Sequence, residues 1–125
     1  MVLTEVIRLL SAEVICGHDK INLQVESACA GDLLSDLLTF SHNKTLLLTG
    51  LTNPQVIRTA EIIDLAAIIF VRGKRPNGET LQLAQEKQIP LLVTQLPLYE
   101  CSGILYSAGL REDTSKETRE EAKES

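Results

Sequence analysis

Along the second half of the chain, short apolar runs alternate with polar turns and with segments of helical periodicity. The apolar runs are Thr45-Leu46-Leu47-Leu48-Thr49, Ala67-Ile68-Ile69-Phe70-Val71 and Pro90-Leu91-Leu92-Val93-Thr94. They begin about 22 residues apart, the length of a strand-turn-helix unit. Runs that are apolar without alternation predict strands covered on both faces, hence a parallel sheet between two helix layers. The first half is less regular. Leu3, Val6, Ile7 and Leu10 make a helical stripe, and Glu13-Val14-Ile15-Cys16 a short strand closed by the turn Gly17-His18-Asp19-Lys20. Leu23, Val25, Ser27 and Cys29 alternate with polar or small residues, which predicts a strand over 23–30 with one face less buried, near a sheet edge and paired with the first strand.

Helix boundaries are written in the turn chemistry. Asp32 is placed to cap a helix that carries Leu33, Leu34, Leu37 and Leu38 and ends near Phe40. Asn53 followed by Pro54 is a helix start, with Val56, Ile57, Ala60, Ile63 and Leu65 as its buried stripe. Pro76-Asn77-Gly78-Glu79 is a turn before Leu81, Leu83 and Ala84. Pro97 opens a last helix through Leu98, Cys101, Ile104 and Leu105, closed by Gly109. The expected architecture is a three-layer α/β/α domain with a mainly parallel central sheet, over residues 1–110. From Arg111 to Ser125 there are six acids, four bases and one apolar residue, Ala122. That segment is expected to be a mobile charged tail.

Charge and composition remove several classes of function. The net charge is −5, of which the last fifteen residues carry −2. An acidic body with two Phe, two Tyr and no Trp lacks both the electrostatic and the stacking surface of a nucleic-acid binder. No apolar run approaches the length of a membrane span. The charged amino terminus is not a secretory signal, so a cytoplasmic location and no membrane partner are expected. Cys16, Cys29 and Cys101 show no Cys-x-x-Cys or Cys/His spacing; reduced core thiols are expected, with a metal or redox role assembled by folding as the alternative.

Ligands of parallel sheets collect at the carboxyl ends of the strands. Here those ends read Thr49-Gly50-Leu51-Thr52-Asn53, Arg72-Gly73-Lys74-Arg75 and Thr94-Gln95. A glycine turn leading into a capped helix presents N–H groups and a positive dipole end, which suits an anion. Arg72, Lys74 and Arg75 add a local positive spot, and Arg72 and Arg75 have the fork that grips phosphate or carboxylate. The candidate ligand-binding set is therefore Thr49, Gly50, Thr52, Asn53, Arg72, Gly73, Lys74, Arg75 and Thr94, one composite anion site if the strands are neighbours. The alternative is that Gly50 turns, Asn53 caps and the cations are solvated or contact another subunit. There is no G-x-G-x-x-G, P-loop or G-x-S-x-G pattern, so no cofactor is expected. His18 and His42 have no sequence-adjacent nucleophile or metal partner. Asp32 and Asp36 read as a cap and an exposed helix acid. No catalytic residue and no metal ligand can be named.

Three stretches, Ala30-Gly31-Asp32-Leu33-Leu34-Ser35-Asp36-Leu37-Leu38, Leu48-Thr49-Gly50-Leu51-Thr52-Asn53-Pro54-Gln55-Val56-Ile57-Arg58-Thr59-Ala60 and Phe70-Val71-Arg72-Gly73-Lys74-Arg75-Pro76, resemble in order and spacing the stand-alone DRTGG-domain family. The resemblance spans residues 1–110. It implies a domain similar to the amino-terminal domain of HPr kinase/phosphorylase. Related domains act as regulatory and dimerising modules in phosphotransacetylases and in pyrophosphatases with CBS domains. With the cationic rim and the lack of a catalytic set, the leading expectation is a non-catalytic regulatory homodimer that senses a small anionic metabolite or nucleotide. The alternative is an interaction module docking a partner enzyme, which the resemblance points to as of the hydrogenase or sensor-kinase kind. An enzyme acting on phosphorylated or acyl substrates is the third reading. The Asp-Arg and Thr-Gly-Gly elements that give the family its name are replaced here by Gly50-Leu51-Thr52 and Val71-Arg72-Gly73-Lys74.

Overall fold

The computed structural model of the chain describes residues 1–40 and 44–111. In chain order the elements are α1 (Leu3–Leu10), β1 (Glu13–Cys16), a 3₁₀ turn (His18–Lys20), β2 (Ser27–Ala30), α2 (Leu34–Phe40), β3 (Thr45–Thr49), α3 (Pro54–Ile62), β4 (Ala67–Phe70), α4 (Gly78–Lys87), β5 (Leu91–Val93) and α5 (Leu98–Ser107). The strands form one sheet in the order β1-β5-β4-β3-β2. β2 to β5 are parallel, and β1 runs antiparallel against β5.

Because β2, β3, β4 and β5 advance across the sheet in one direction, right-handed crossovers place α2, α3 and α4 on the same face. The other face is covered by α1 and α5, which pack on each other. Each central strand feeds both cores in alternation. Leu47, Ile68, Phe70, Leu91 and Val93 face the α2–α4 layer, while Leu46, Leu48, Ala67, Ile69 and Leu92 face α1 and α5. This is the physical reason for the uninterrupted apolar runs: a strand with no solvent face has room for a polar residue only where its hydroxyl is hydrogen-bonded, as at Thr45 and Thr49 at the ends of β3. Of these ten side chains all but Val93 are at most 1% exposed.

The caps expected at α3 and α5 are present. Asn53 accepts a hydrogen bond from the Val56 N–H (3.3 Å) ahead of Pro54, and Gly109 takes φ +100 after α5. Asn77 caps α4 in the same way, through the Thr80 N–H at 2.9 Å.

Two expectations are corrected. The strand foreseen over 23–30 is a strand only over Ser27–Ala30, and it pairs with β3 rather than with β1, which lies at the opposite edge. The alternation was real but served two partners. Leu23 and Val25 exchange backbone hydrogen bonds with the amino terminus, Leu3 N–H to Leu23 O at 2.9 Å and Val25 N–H to Met1 O at 2.7 Å. Only the residues after Val25 turn into the sheet. The α2 stripe is also narrower than expected: Leu37 is buried, but Leu33 is 61% and Leu38 56% exposed. His42 and the residues from 112 onward, where the tail was expected, lie outside the described residues. Arg111 itself is held, its carbonyl accepting the Ala28 N–H at 3.0 Å and its guanidinium lying 4.4 Å from the Tyr106 ring centre. Among the described residues no helix is long and apolar enough to cross a membrane.

Candidate functional site

β3 and β4 are neighbours, so the turns at their carboxyl ends share one rim of the sheet. Asp32, which follows β2, reaches across this rim to the end of β3. Its Oδ1 accepts hydrogen bonds from Thr49 Oγ1 (2.8 Å) and from the Gly50 N–H (2.9 Å). Thr49 is buried, and its hydroxyl accepts in turn from the Leu51 N–H at 3.1 Å. The exits of β2 and β3 are thereby laced together by a carboxylate, an arrangement that draws on charge-assisted hydrogen bonds.

Lys74 comes to the same place from β4. A Cβ built on Gly50 would lie 3.4 Å from Lys74 Nζ and 3.6 and 3.7 Å from the two Asp32 carboxylate oxygens. The ammonium group thus sits above the Gly50 backbone with Asp32 beside it, in a space that any larger residue at position 50 would fill. Thr52 is half-buried and Asn53 exposed at the start of α3, whose first turn holds no acidic residue.

The turn that carries the cations is rigid. Arg72 and Gly73 take φ +57 and +67, and the Lys74 N–H closes on Val71 O at 3.1 Å; two successive positive φ values with this bond make a type I′ turn. The Arg72 N–H donates to Leu96 O at 3.0 Å and the Gly73 N–H to Thr94 O at 2.8 Å. All three backbone N–H groups of the turn are therefore committed within the fold, and what it offers outward is side-chain charge. Arg75 is paired with Glu13 at the start of β1. Arg72 and Lys74 are exposed and form no close ion pair among the described residues. Thr94 is buried; its hydroxyl donates to Leu10 O (2.8 Å) and accepts from the Leu96 N–H (3.3 Å). It supports the rim from beneath.

The structure therefore brings Thr49, Gly50, Thr52, Asn53, Arg72, Gly73 and Lys74 to one rim, with Arg75 turned toward Glu13 and Thr94 below. Asp32 is the member that sequence reading missed. Its place directly after a strand, in Ala30-Gly31-Asp32, was the available signal, and helix capping was the competing explanation. The described imidazole and thiols contribute no side chain to the rim surface, although the buried Cys101 thiol donates to Leu96 O (3.7 Å), the carbonyl that also accepts the Arg72 N–H. His18 and Cys16 are at the opposite end of the sheet, and Cys29 and Cys101 are buried in the two cores. Burial pushes the Cys101 thiol up to about 11, with the charge of Glu100 a smaller contribution, and burial likewise raises Cys16. Such thiols stay protonated and weakly nucleophilic. Among the described residues no group of three or more His, Cys, Asp or Glu side chains is placed to hold a metal ion.

A family model described as the DRTGG domain matches residues 5–108. No curated protein matches the chain. A similar solved structure is that of the CBS and DRTGG domains of the regulatory region of Clostridium perfringens pyrophosphatase, complexed with its activator, diadenosine tetraphosphate. The two superpose with a TM-score of 0.65 at 15% identity, over 90% of this chain and 51% of the other. The present chain therefore spans about half the length of that regulatory chain, and at this identity the likeness is one of fold.

Proposed function

We propose that this chain, which belongs to the DRTGG-domain family, is a non-catalytic regulatory module that senses a small anionic or phosphorylated metabolite at the rim. The observation that carries the reading is the Lys74 ammonium standing over Gly50, beside the acid-free first turn of α3, with Arg72 exposed on a rigid turn next to it. Lys74, Arg72, Thr52 and Asn53 are the groups that meet the ligand. Thr49, Gly50, Gly73 and Thr94 shape the surface, and Arg75 sets the turn through Glu13. Asp32 acts as a built-in competitor: an incoming anion takes over the attraction of Lys74 that the carboxylate otherwise shares. The regulatory reading is supported by the occurrence of the same domain in a pyrophosphatase's regulatory region, whose complex with a dinucleotide activator makes nucleotides the first ligands to try.

The test is a thermal-shift screen of nucleotides, acyl phosphates and coenzyme A derivatives on the wild-type chain and on the Arg72→Ala/Lys74→Ala double variant. Ligand at about 100 times its dissociation constant stabilises a single site by about 2.7 kcal/mol, several degrees for a domain of this size. A shift present in the wild type and lost in the double variant is expected. A shift of equal size in both would remove the rim from the proposal.

One observation favours a second reading, a dimerising or partner-docking module. Tyr99 and Tyr106 are 86% and 57% exposed on the outward side of α5, with Gly103 between them. Exposed aromatics flanking a small residue suit helix-on-helix packing of two copies. Sedimentation analysis decides it: a doubled mass that returns to that of one chain in Tyr99→Lys/Tyr106→Lys supports the dimer, and a single-chain mass at high concentration argues against it.

A further inference from the structure

A cleft of about 550 Å³ opens at the end of the sheet away from the rim, between the last residues of β1, the 3₁₀ turn and the carboxyl end of α4. We propose that it binds a neutral, flat heteroaromatic ring of nucleobase or nucleoside size. This inference is independent of the anion reading, since the cleft and the rim lie at opposite ends of the strands.

Its volume lies within the range of small-molecule sites. Its floor is the core itself: Cys16, Ala84 and Ile89 are all at least nine-tenths buried and belong to the cluster under α2–α4. An apolar floor of this kind takes the face of a ring. The mouth is polar, formed by Gln85 and Gln88 of the α4 end with His18 and Asp19 opposite. A carboxamide offers a donor and an acceptor together, which is the pattern along a nucleobase edge, and a carboxylate accepts from sugar hydroxyls.

The walls are fixed. Lys20 Nζ donates to Gln88 O at 2.8 Å and to Gln88 Oε1 at 3.4 Å, strapping the turn to the end of α4, so that Gln85 carries the carboxamide that meets the ring edge. Gly17, at φ +79, packs so closely that a Cβ would fall 2.7 Å from Pro90 Cα. The charge pattern decides against an anionic ligand. α4 ends here, so the negative end of its dipole, with the Gln85 and Gln88 carbonyls, lies at the cleft. The lysine in the lining is engaged with one of those carbonyls, and Asp19 adds a negative charge.

The test is an amide NMR titration of the intact chain with adenosine, adenosine monophosphate and uridine. Saturable shifts are expected at Gly17, Lys20, Gln85 and Gln88, with Gly50 and Gly73 unmoved. The monophosphate should bind no more tightly than adenosine, within about threefold. Gln85→Ala, an exposed helical position where alanine is well tolerated, should weaken binding about fivefold by removing one hydrogen-bonding group. The proposal is overturned by any of three results. These are no saturable shift with either nucleoside up to its solubility, a monophosphate preference above about tenfold, or a Gln85→Ala affinity equal to wild type.

Discussion

Gly17→Ala gives the sharpest test of how the two ends of the sheet are built. Glycine at φ +79 occupies a conformation that costs a residue with a Cβ about 1 kcal/mol net, once the lower entropy of the unfolded alanine chain is counted. The new methyl would also lie 2.7 Å from Pro90 Cα and 2.9 Å from Pro90 Cβ. Pro90 cannot retreat freely, because its carbonyl accepts the Ile68 N–H at 3.0 Å and so anchors the start of β5 to β4. Overpacking against such a site adds about 1–3 kcal/mol, for a total of about 2–4 kcal/mol. Gly73→Ala is the internal control. Its φ is +67 and a Cβ would fall 2.5 Å from Gln95 Oε1, but that atom is the far end of an exposed side chain that can swing away. Only the conformational cost remains, about 1 kcal/mol. Urea unfolding of the two variants should show unchanged slopes and midpoints that differ in this order. Equal destabilisation by the two alanines would refute the reasoning, since it would mean that the β5 lead-in yields as readily as a surface glutamine.

Three further outcomes are expected. Asp32→Asn keeps an acceptor for Thr49 and Gly50 but removes a charge about 5 Å from an anion seated on Lys74; at the dielectric of water that is about 0.8 kcal/mol, roughly a fourfold gain in affinity, measured by calorimetry with whichever ligand the screen yields and diminishing with added salt. Thr94→Val strands the Leu10 carbonyl and the Leu96 N–H, so thermal unfolding should show a loss of about 1–3 kcal/mol with the rim's ligand response intact; a lost response at unchanged stability would place the hydroxyl on the ligand instead. The Cys101 thiol, raised from 9.0 to about 11 chiefly by burial, is protonated in the folded chain where the unfolded chain has already released its proton, so its contribution is level below pH 9 and falls as pH rises toward about 11; unfolding midpoints across that window should flatten in Cys101→Ala.

What could be read from the chain divides along a physical line. Elements whose partners are adjacent in sequence were legible: β3, β4 and β5 from their apolar runs, and α3 from Asn53-Pro54. Their environment is set by the repeating strand-turn-helix unit. The pairing of β1 was not legible, because its partner β5 lies more than seventy residues on. Four residues of mixed burial do not specify which edge they join. The reach of Asp32 onto β3 was not legible because an acid between strand and helix fits two roles equally well. The choice between them depends on whether Thr49 and Gly50 come within reach, a tertiary fact. The rim was foreseen in place, since it follows from the parallel sheet alone. The cleft was not, since residues 15–20 and 84–89 carry no local motif and meet only when β1 folds back onto β5.

The two ends of the molecule differ in sign for one reason. All three parallel crossovers run the same way, so α2, α3 and α4 lie side by side on one face with their amino ends at the rim and their carboxyl ends opposite. Their dipoles point the same way, as those of helices that connect parallel strands do, and so add at both ends. At the rim the field favours anions, and Asp32 and Glu13 are the groups that temper it. At the other end Lys20 and Lys87 do the tempering, Lys20 on the Gln88 carbonyl (2.8 Å) and Lys87 on Glu61 (3.0 Å). Each end is thus supplied with side chains of the sign its helices attract, and each keeps only part of its field for a ligand. Charge-removing changes at Lys74 or Asp32 should therefore tune binding at the rim without reaching the cleft. Lys20→Met should free the Gln88 carbonyl and disturb the cleft without reaching the rim.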